Sequence, residues 1–208
     1  MNAAGINRGT SGNISARFGN RMIVTPSATP YDRMTPVRLA GCDLGREEPD
    51  WNGPLPPSTE WRFHRDILNA RPEIGAIVHA HPPYCTAFAM ARQGIPAAHY
   101  MIAAFGGTDV RCSGYATFGT AALSRLALDA LDGRTACLLA NHGMIALGET
   151  LEKALWRAGE LETLARQYHL ALAIGGPVLL SDAEIAETAA GFANYGLQGE
   201  DDPVSHPR

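Results

Sequence analysis

The 208-residue chain is 46% apolar and 18% charged with a formal net charge of −4, a balance ordinary for a globular protein and one domain's worth of sequence. Seventeen lysines and arginines against 21 acids leave no basic surplus for a phosphodiester backbone, so no nucleic-acid partner is expected. The longest apolar runs, such as Tyr100–Phe105, are too short for a bilayer, and the opening Met1-Asn2-Ala3-Ala4-Gly5 has no signal pattern; no membrane partner and a cytoplasmic location are expected.

In chain order, residues 13–18 and 21–25 predict a hairpin turning at Gly19-Asn20. Residues 41–57, rich in Gly, Pro, Asp and Glu, read as a surface loop. A helix is predicted from Ser58 to Arg71, stopping before Pro72, then a buried strand over residues 75–80. Pro82-Pro83 opens a helix to about Arg92, and residues 119–131 form another that ends at Gly133. Residues 136–141 and 144–147 are strands broken by His142-Gly143. The longest helix covers residues 150–174, with Leu151, Leu155, Ala158, Leu161, Ala165 and Tyr168 as its core stripe. Ser181-Asp182-Ala183-Glu184 is a capping box for a last short helix, and residues 199–208 read as a disordered polar tail. One domain over residues 1–208 is expected. Its strands meet first in a hairpin and later through helices, which predicts a mixed, mostly antiparallel sheet between helix layers.

The sharpest chemical signal is His79-Ala80-His81 at the end of a strand. Residues two apart on a strand point the same way, so the pair is either half of a zinc site or two hydrogen-bonded strand histidines. His142, beside Gly143 at a strand break, is the candidate third ligand; three histidines leave the open position of a catalytic zinc. Ser58-Thr59-Glu60 at a helix start is either plain capping or a phosphate site with a carboxylate near the metal. His64, on the same helix face as Glu60, is read as a packed or capping side chain. The turns Gly9–Ser15 and Thr25–Ala28 carry small residues whose amides suit an anion. Four cysteines (Cys42, Cys85, Cys112 and Cys137) show no C-x-x-C spacing and read as reduced thiols. Lys153 is the single lysine, read as an exposed ion pair with Glu149. A Schiff-base mechanism needs a desolvated lysine, so carbonyl chemistry here must use another group.

Together these segments resemble the class II aldolase/adducin family. The resemblance is carried by Gly9-Thr10-Ser11-Gly12-Asn13, Thr25-Pro26-Ser27, Ser58-Thr59-Glu60-Trp61-Arg62-Phe63-His64, Val78-His79-Ala80-His81, His99-Tyr100-Met101, Tyr115-Ala116-Thr117-Phe118-Gly119 and Asn141-His142-Gly143, and spans residues 5 to 198. Within the family the match is closest to the branch acting on L-fuculose 1-phosphate. The resemblance implies a three-layer α/β/α sandwich with a nine-stranded sheet, assembled as a cyclic homotetramer with interfacial sites. It implies one Zn2+ (or another divalent metal) per subunit on His79, His81 and His142, with Glu60 as catalytic carboxylate. It places Asn13, Ser27, Ser58 and Thr59 at the phosphate, Tyr100 in the neighbouring subunit's site at the aldehyde oxygen, and Phe118 and Tyr195 at the aldehyde pocket. The implied activity is cleavage of a ketose 1-phosphate to dihydroxyacetone phosphate and a short hydroxyaldehyde such as L-lactaldehyde. A pentulose-phosphate 4-epimerase, a decarboxylase and an adducin-like binding head are the alternatives. The epimerase's aspartate falls at Ala104 here, and the binding head lacks the metal ligands that this chain keeps. Ala28 stands where the family's fuculose enzyme has glycine; a left-handed backbone there would cost alanine on the order of 1 kcal/mol.

Overall fold

The computed structural model describes residues 1–192; Tyr195 and the expected tail lie outside them. Asn13–Phe18 (β1) and Arg21–Val24 (β2) form the predicted hairpin. Ala40–Asp43 (β3) then pairs with β2 at the sheet edge, which corrects the reading of residues 41–57 as loop throughout. Four residues including Gly41 show no clear alternation, so only the neighbouring strand reveals β3. Trp61–Ala70 (α1) starts three residues later than expected, because Ser58 and Thr59 complete a turn before it. Ala76–Ala80 (β4) and Pro83–Met90 (α2) follow, the latter with proline in its first turn. Ile95–Pro96 (β5) and Asp109–Val110 (β6) make a small ribbon around the 3₁₀ segment Tyr100–Phe105. Ala121–Ala130 (α3) is capped by Thr120, whose hydroxyl accepts from the Leu123 amide. Ala136–Leu139 (β7) and Gly143–Gly148 (β8) form a hairpin, and Leu151–Ala173 (α4) and Asp182–Phe192 (α5) complete the order. The capping box is formed: Ser181 Oγ accepts from the Glu184 amide, and Glu184 Oε2 accepts from the Ser181 amide.

The six-stranded sheet runs β3-β2-β1-β4-β8-β7, with every ladder antiparallel. One parallel bridge, Cys112 to Leu138, makes it mixed. Among the described residues the sheet has six strands rather than nine, with β5 and β6 apart. The central strands are buried on both faces, which is why they read as continuous apolar runs. Ala76, Val78 and Ala80 of β4, with Met144 and Ala146 of β8, pack on α2 and α4. The intervening Ile77, Ile145 and Leu147 pack on Phe63, Ile67 and Leu68 of α1 and on Leu123 and Ala127 of α3. Strand alternation thus separates two cores and yields three layers. Of the α4 stripe, Ala158, Leu161 and Ala165 are buried, while Leu151 remains exposed. No helix among the described residues is long and apolar enough to cross a membrane.

Candidate metal centre and active site

His79 is next to last in β4, on the α1 face, and is fully buried. Its ring meets Phe63 edge-on at 5.3 Å. Its Nδ1 lies 2.9 Å from the Met144 carbonyl, an acceptor, so Nδ1 carries the proton and Nε2 presents a lone pair. His81 follows just beyond the strand, with its Nε2 3.0 Å from that of His79. His142 enters from the three-residue β7–β8 loop, since Leu139 pairs with Gly143. The loop turns through Asn141 at φ +55, a conformation asparagine tolerates better than most residues. Gly143 is required there: a Cβ would lie 2.6 Å from both the Ala80 carbonyl oxygen and the His81 ring.

The three ring centroids are separated by 4.8, 4.8 and 4.9 Å, a nearly equilateral triangle. Their ligand nitrogens all lie within 4.8 Å of one another. Tetrahedral coordination at about 2.0–2.1 Å places nitrogens roughly 3.3 Å apart, so modest movement would seat one ion. Burial first, and then the neighbouring imidazoles, lowers His81 to about 4; burial and His79 do the same to His142. Both rings are therefore neutral near pH 7, the form that binds metal.

Glu60 faces this triangle from the residue preceding α1. Its Oε2 is 3.2 Å from His79 Nε2 and its Oε1 is 3.2 Å from His142 Nε2. Oε1 is buried and accepts no hydrogen bond. A desolvated carboxylate oxygen left open beside three imidazoles fits a divalent cation. Burial alone would raise the Glu60 pKa, but His79, His142 and Asn13 together outweigh it and hold the carboxyl well below its ordinary range.

The phosphate candidates assemble from three segments. Asn13 Nδ2 donates to Glu60 Oε2 at 2.9 Å. The Ser27 amide donates to the Pro56 carbonyl and the Ser58 amide to the Thr25 carbonyl, which sets residues 25–27 against 56–58. Ser58 is buried and its Oγ accepts from the Glu60 amide, whereas Thr59 is exposed. Phe118 is 61% exposed, and the following Gly119 lies close to Thr59: a Cβ there would meet the Thr59 carbonyl oxygen at 2.7 Å. Tyr100 is 50% exposed, and its ring neighbours are His99 and Phe192. It shares no hydrogen bond or ring contact with the histidine triangle among the described residues. Lys153 lies over the Trp156 ring, while Glu149 pairs with Arg157 instead, which corrects the ion pair expected of it.

His64 is the packed side chain expected, but sequence reading missed its hydrogen-bond partners. It is fully buried, with Nε2 2.5 Å from Asn13 Oδ1 and Nδ1 2.7 Å from Ser15 Oγ. The signal was available in the spacing: Ser15 shares a strand face with Asn13, and His64 shares a helix face with Glu60.

Residues 1–169 match the family described as Class II Aldolase and Adducin N-terminal domain. The 5-methylthioribulose-1-phosphate/5-deoxyribulose-1-phosphate aldolase of Rhodospirillum rubrum is 48% identical over 192 residues, covering 92% of this chain and 86% of that protein. The L-fuculose phosphate aldolase of Escherichia coli is 46% identical over 203 residues, covering 97% and 93%. A solved L-fuculose 1-phosphate aldolase superposes with a TM-score of 0.86 at 38% identity, covering 90% of this chain and 88% of that one. The chain belongs to the class II aldolase and adducin family, on its enzymatic, aldehyde-lyase side.

Proposed function

We propose that this protein is a zinc-dependent aldolase that cleaves a ketose 1-phosphate between C3 and C4, reversibly, to dihydroxyacetone phosphate and a short aldehyde. The observation that carries this reading is the triangle of His79, His81 and His142 with the unpaired oxygen of Glu60 aimed into it. A set of three imidazoles with room for further ligands suits zinc, and other borderline divalent ions such as cobalt, more than magnesium or calcium. When bound, the ion supplies a Lewis acid that draws electron density from the ketose carbonyl.

The chain's own residues then have distinct tasks. Asn13, Ser27, Ser58 and Thr59 hold the phosphate, so that binding energy remote from the reacting bond orients it. In the condensation direction the carboxylate of Glu60 takes a proton from C3 of the triose, and as the C3–C4 bond forms Tyr100 gives its phenolic proton to the aldehyde oxygen. Solvent then carries the proton from Glu60 to the Tyr100 phenolate, and cleavage runs the same steps in reverse. The exposure of Tyr100, away from the histidines of its own chain, supports delivery to a neighbouring copy in a cyclic tetramer. Phe118 borders the aldehyde half; Tyr195, the other residue expected there, lies outside the described residues. Free thiols at Cys42, Cys85, Cys112 and Cys137 support a reducing, cytoplasmic location.

The first substrate to test is L-fuculose 1-phosphate, whose aldehyde half is L-lactaldehyde. The 48% identical relative favours a second reading, 5-methylthioribulose or 5-deoxyribulose 1-phosphate. These sugars share the triose half and differ at the aldehyde by groups that a pocket separates by about 1–3 kcal/mol. Purified protein supplied with each sugar in turn should release dihydroxyacetone phosphate and lose that activity to a chelator. Chelator-insensitive release would remove the metal mechanism, and pentulose interconversion without triose would mark an epimerase.

A further inference from the structure

Asn13 presents its NH2 to a Glu60 carboxyl oxygen, and this contact decides the direction of every bond behind it. The NH2 lies 2.9 Å from Glu60 Oε2, so Asn13 Oδ1 faces His64. That oxygen only accepts, so His64 Nε2, 2.5 Å away, must carry the ring proton. His64 Nδ1 is then a bare acceptor, and Ser15 Oγ, 2.7 Å from it, is the donor. Ser15, His64, Asn13 and Glu60 are all buried, so water does not compete for these bonds. Phe63 stacks on the His64 ring at 4.6 Å and fixes its plane.

We propose that Ser15 and His64 are positioning residues for the cleavage reaction: through this one-way chain they lock the Asn13 carboxamide with its NH2 toward Glu60 and the substrate. One N–H of Asn13 steadies the catalytic carboxylate, and the second is left for the substrate. Without the His64 donor, Asn13 is free to flip and set its carbonyl oxygen against the Glu60 carboxylate. The inference rests on the aldolase reading for its kinetic consequence but not for the hydrogen-bond order itself.

Two measurements test it. In metal-free protein, imidazole 15N NMR should show His64 protonated at Nε2 and bare at Nδ1, and Ser15→Ala should move the Nδ1 resonance. A His64 ring protonated at Nδ1 would overturn the proposal whether or not the protein is an aldolase. In the metal-loaded enzyme, His64→Leu should lower kcat about 100-fold at unchanged metal content. His64→Gln, which keeps a donor near the Nε2 position, should recover most of that loss. Equal kcat in both folded variants, at the wild-type value or equally reduced, would make His64 a packing residue only. Absence of turnover in the wild type would count against the aldolase reading, leaving the NMR result to decide the relay.

Discussion

Asn13 and His79 stand directly opposite each other in the antiparallel β1–β4 pair, so their side chains leave the sheet on the same face. A residue assigned to the anion cradle and one assigned to the metal are therefore held by backbone hydrogen bonds rather than by a loop. Glu60 touches both. This rigid mounting is what an oriented metal-assisted cleavage requires.

Glu60→Gln should retain the metal, because the three imidazoles remain, and should lose turnover by about 10²–10⁴-fold, the usual worth of a general acid–base group. Elemental analysis beside steady-state kinetics checks both halves. Turnover near the wild-type level would assign the proton transfer to another group.

His142→Ala and His79→Ala should each lose the bound ion. The His79 change should also destabilise the fold, since it empties a fully buried site against Phe63 and leaves the Met144 carbonyl without its donor. Leaving a buried polar group unpaired costs about 1–3 kcal/mol. Thermal melts of the metal-free variants should therefore rank His79→Ala below His142→Ala; the reverse order would contradict the hydrogen bond to Met144.

Ala28 has φ +52, in the left-handed region. Ala28→Gly removes a strain of about 1–2 kcal/mol but adds about 0.4–1 kcal/mol of unfolded-state entropy. The net expectation is a gain of roughly 0.5–1 kcal/mol, or about 2 °C in Tm for a chain of this size. Differential scanning calorimetry measures it, and a fall in Tm would show that the alanine side chain contributes more than its strain costs.

Acid should destabilise the metal-free protein. Burial first, with His79 adding to it, holds His64 at about 3, and His81 and His142 sit near 4, against an unperturbed value of about 6.5. Between these values the unfolded chain binds more protons than the native one, so stability rises with pH and is lost as pH falls from about 6.5 toward 4. Glu60 acts with the same sign at lower pH, because its folded carboxyl stays ionised where the unfolded one is protonated. His64, fully buried, contributes about 1.4 kcal/mol per pH unit inside its window; the more exposed His81 and His142 contribute less. Denaturant titrations across this range should show the slope, and a flat profile would mean that these rings are charged in the folded state.

Features encoded over a few neighbouring residues are legible from the amino-acid string alone. The two-residue period of His79 and His81 predicts a shared face. Apolar stretches predict strands buried on both sides, and Ser181 with Glu184 marks a helix start. Glu60 and His142 are already candidates from their local context, and family resemblance singles them out for the roles proposed. Tertiary structure alone decides what depends on register and packing between distant segments. It decides that β3 pairs at the sheet edge, that Glu60 turns into the histidines instead of capping α1, that Glu149 prefers Arg157 to Lys153, and that His64 reaches Asn13 and Ser15. The physical reason is range: periodicity is set by local backbone geometry, whereas a hydrogen bond between residues 51 apart, such as that of His64 and Asn13, exists only once two elements have docked.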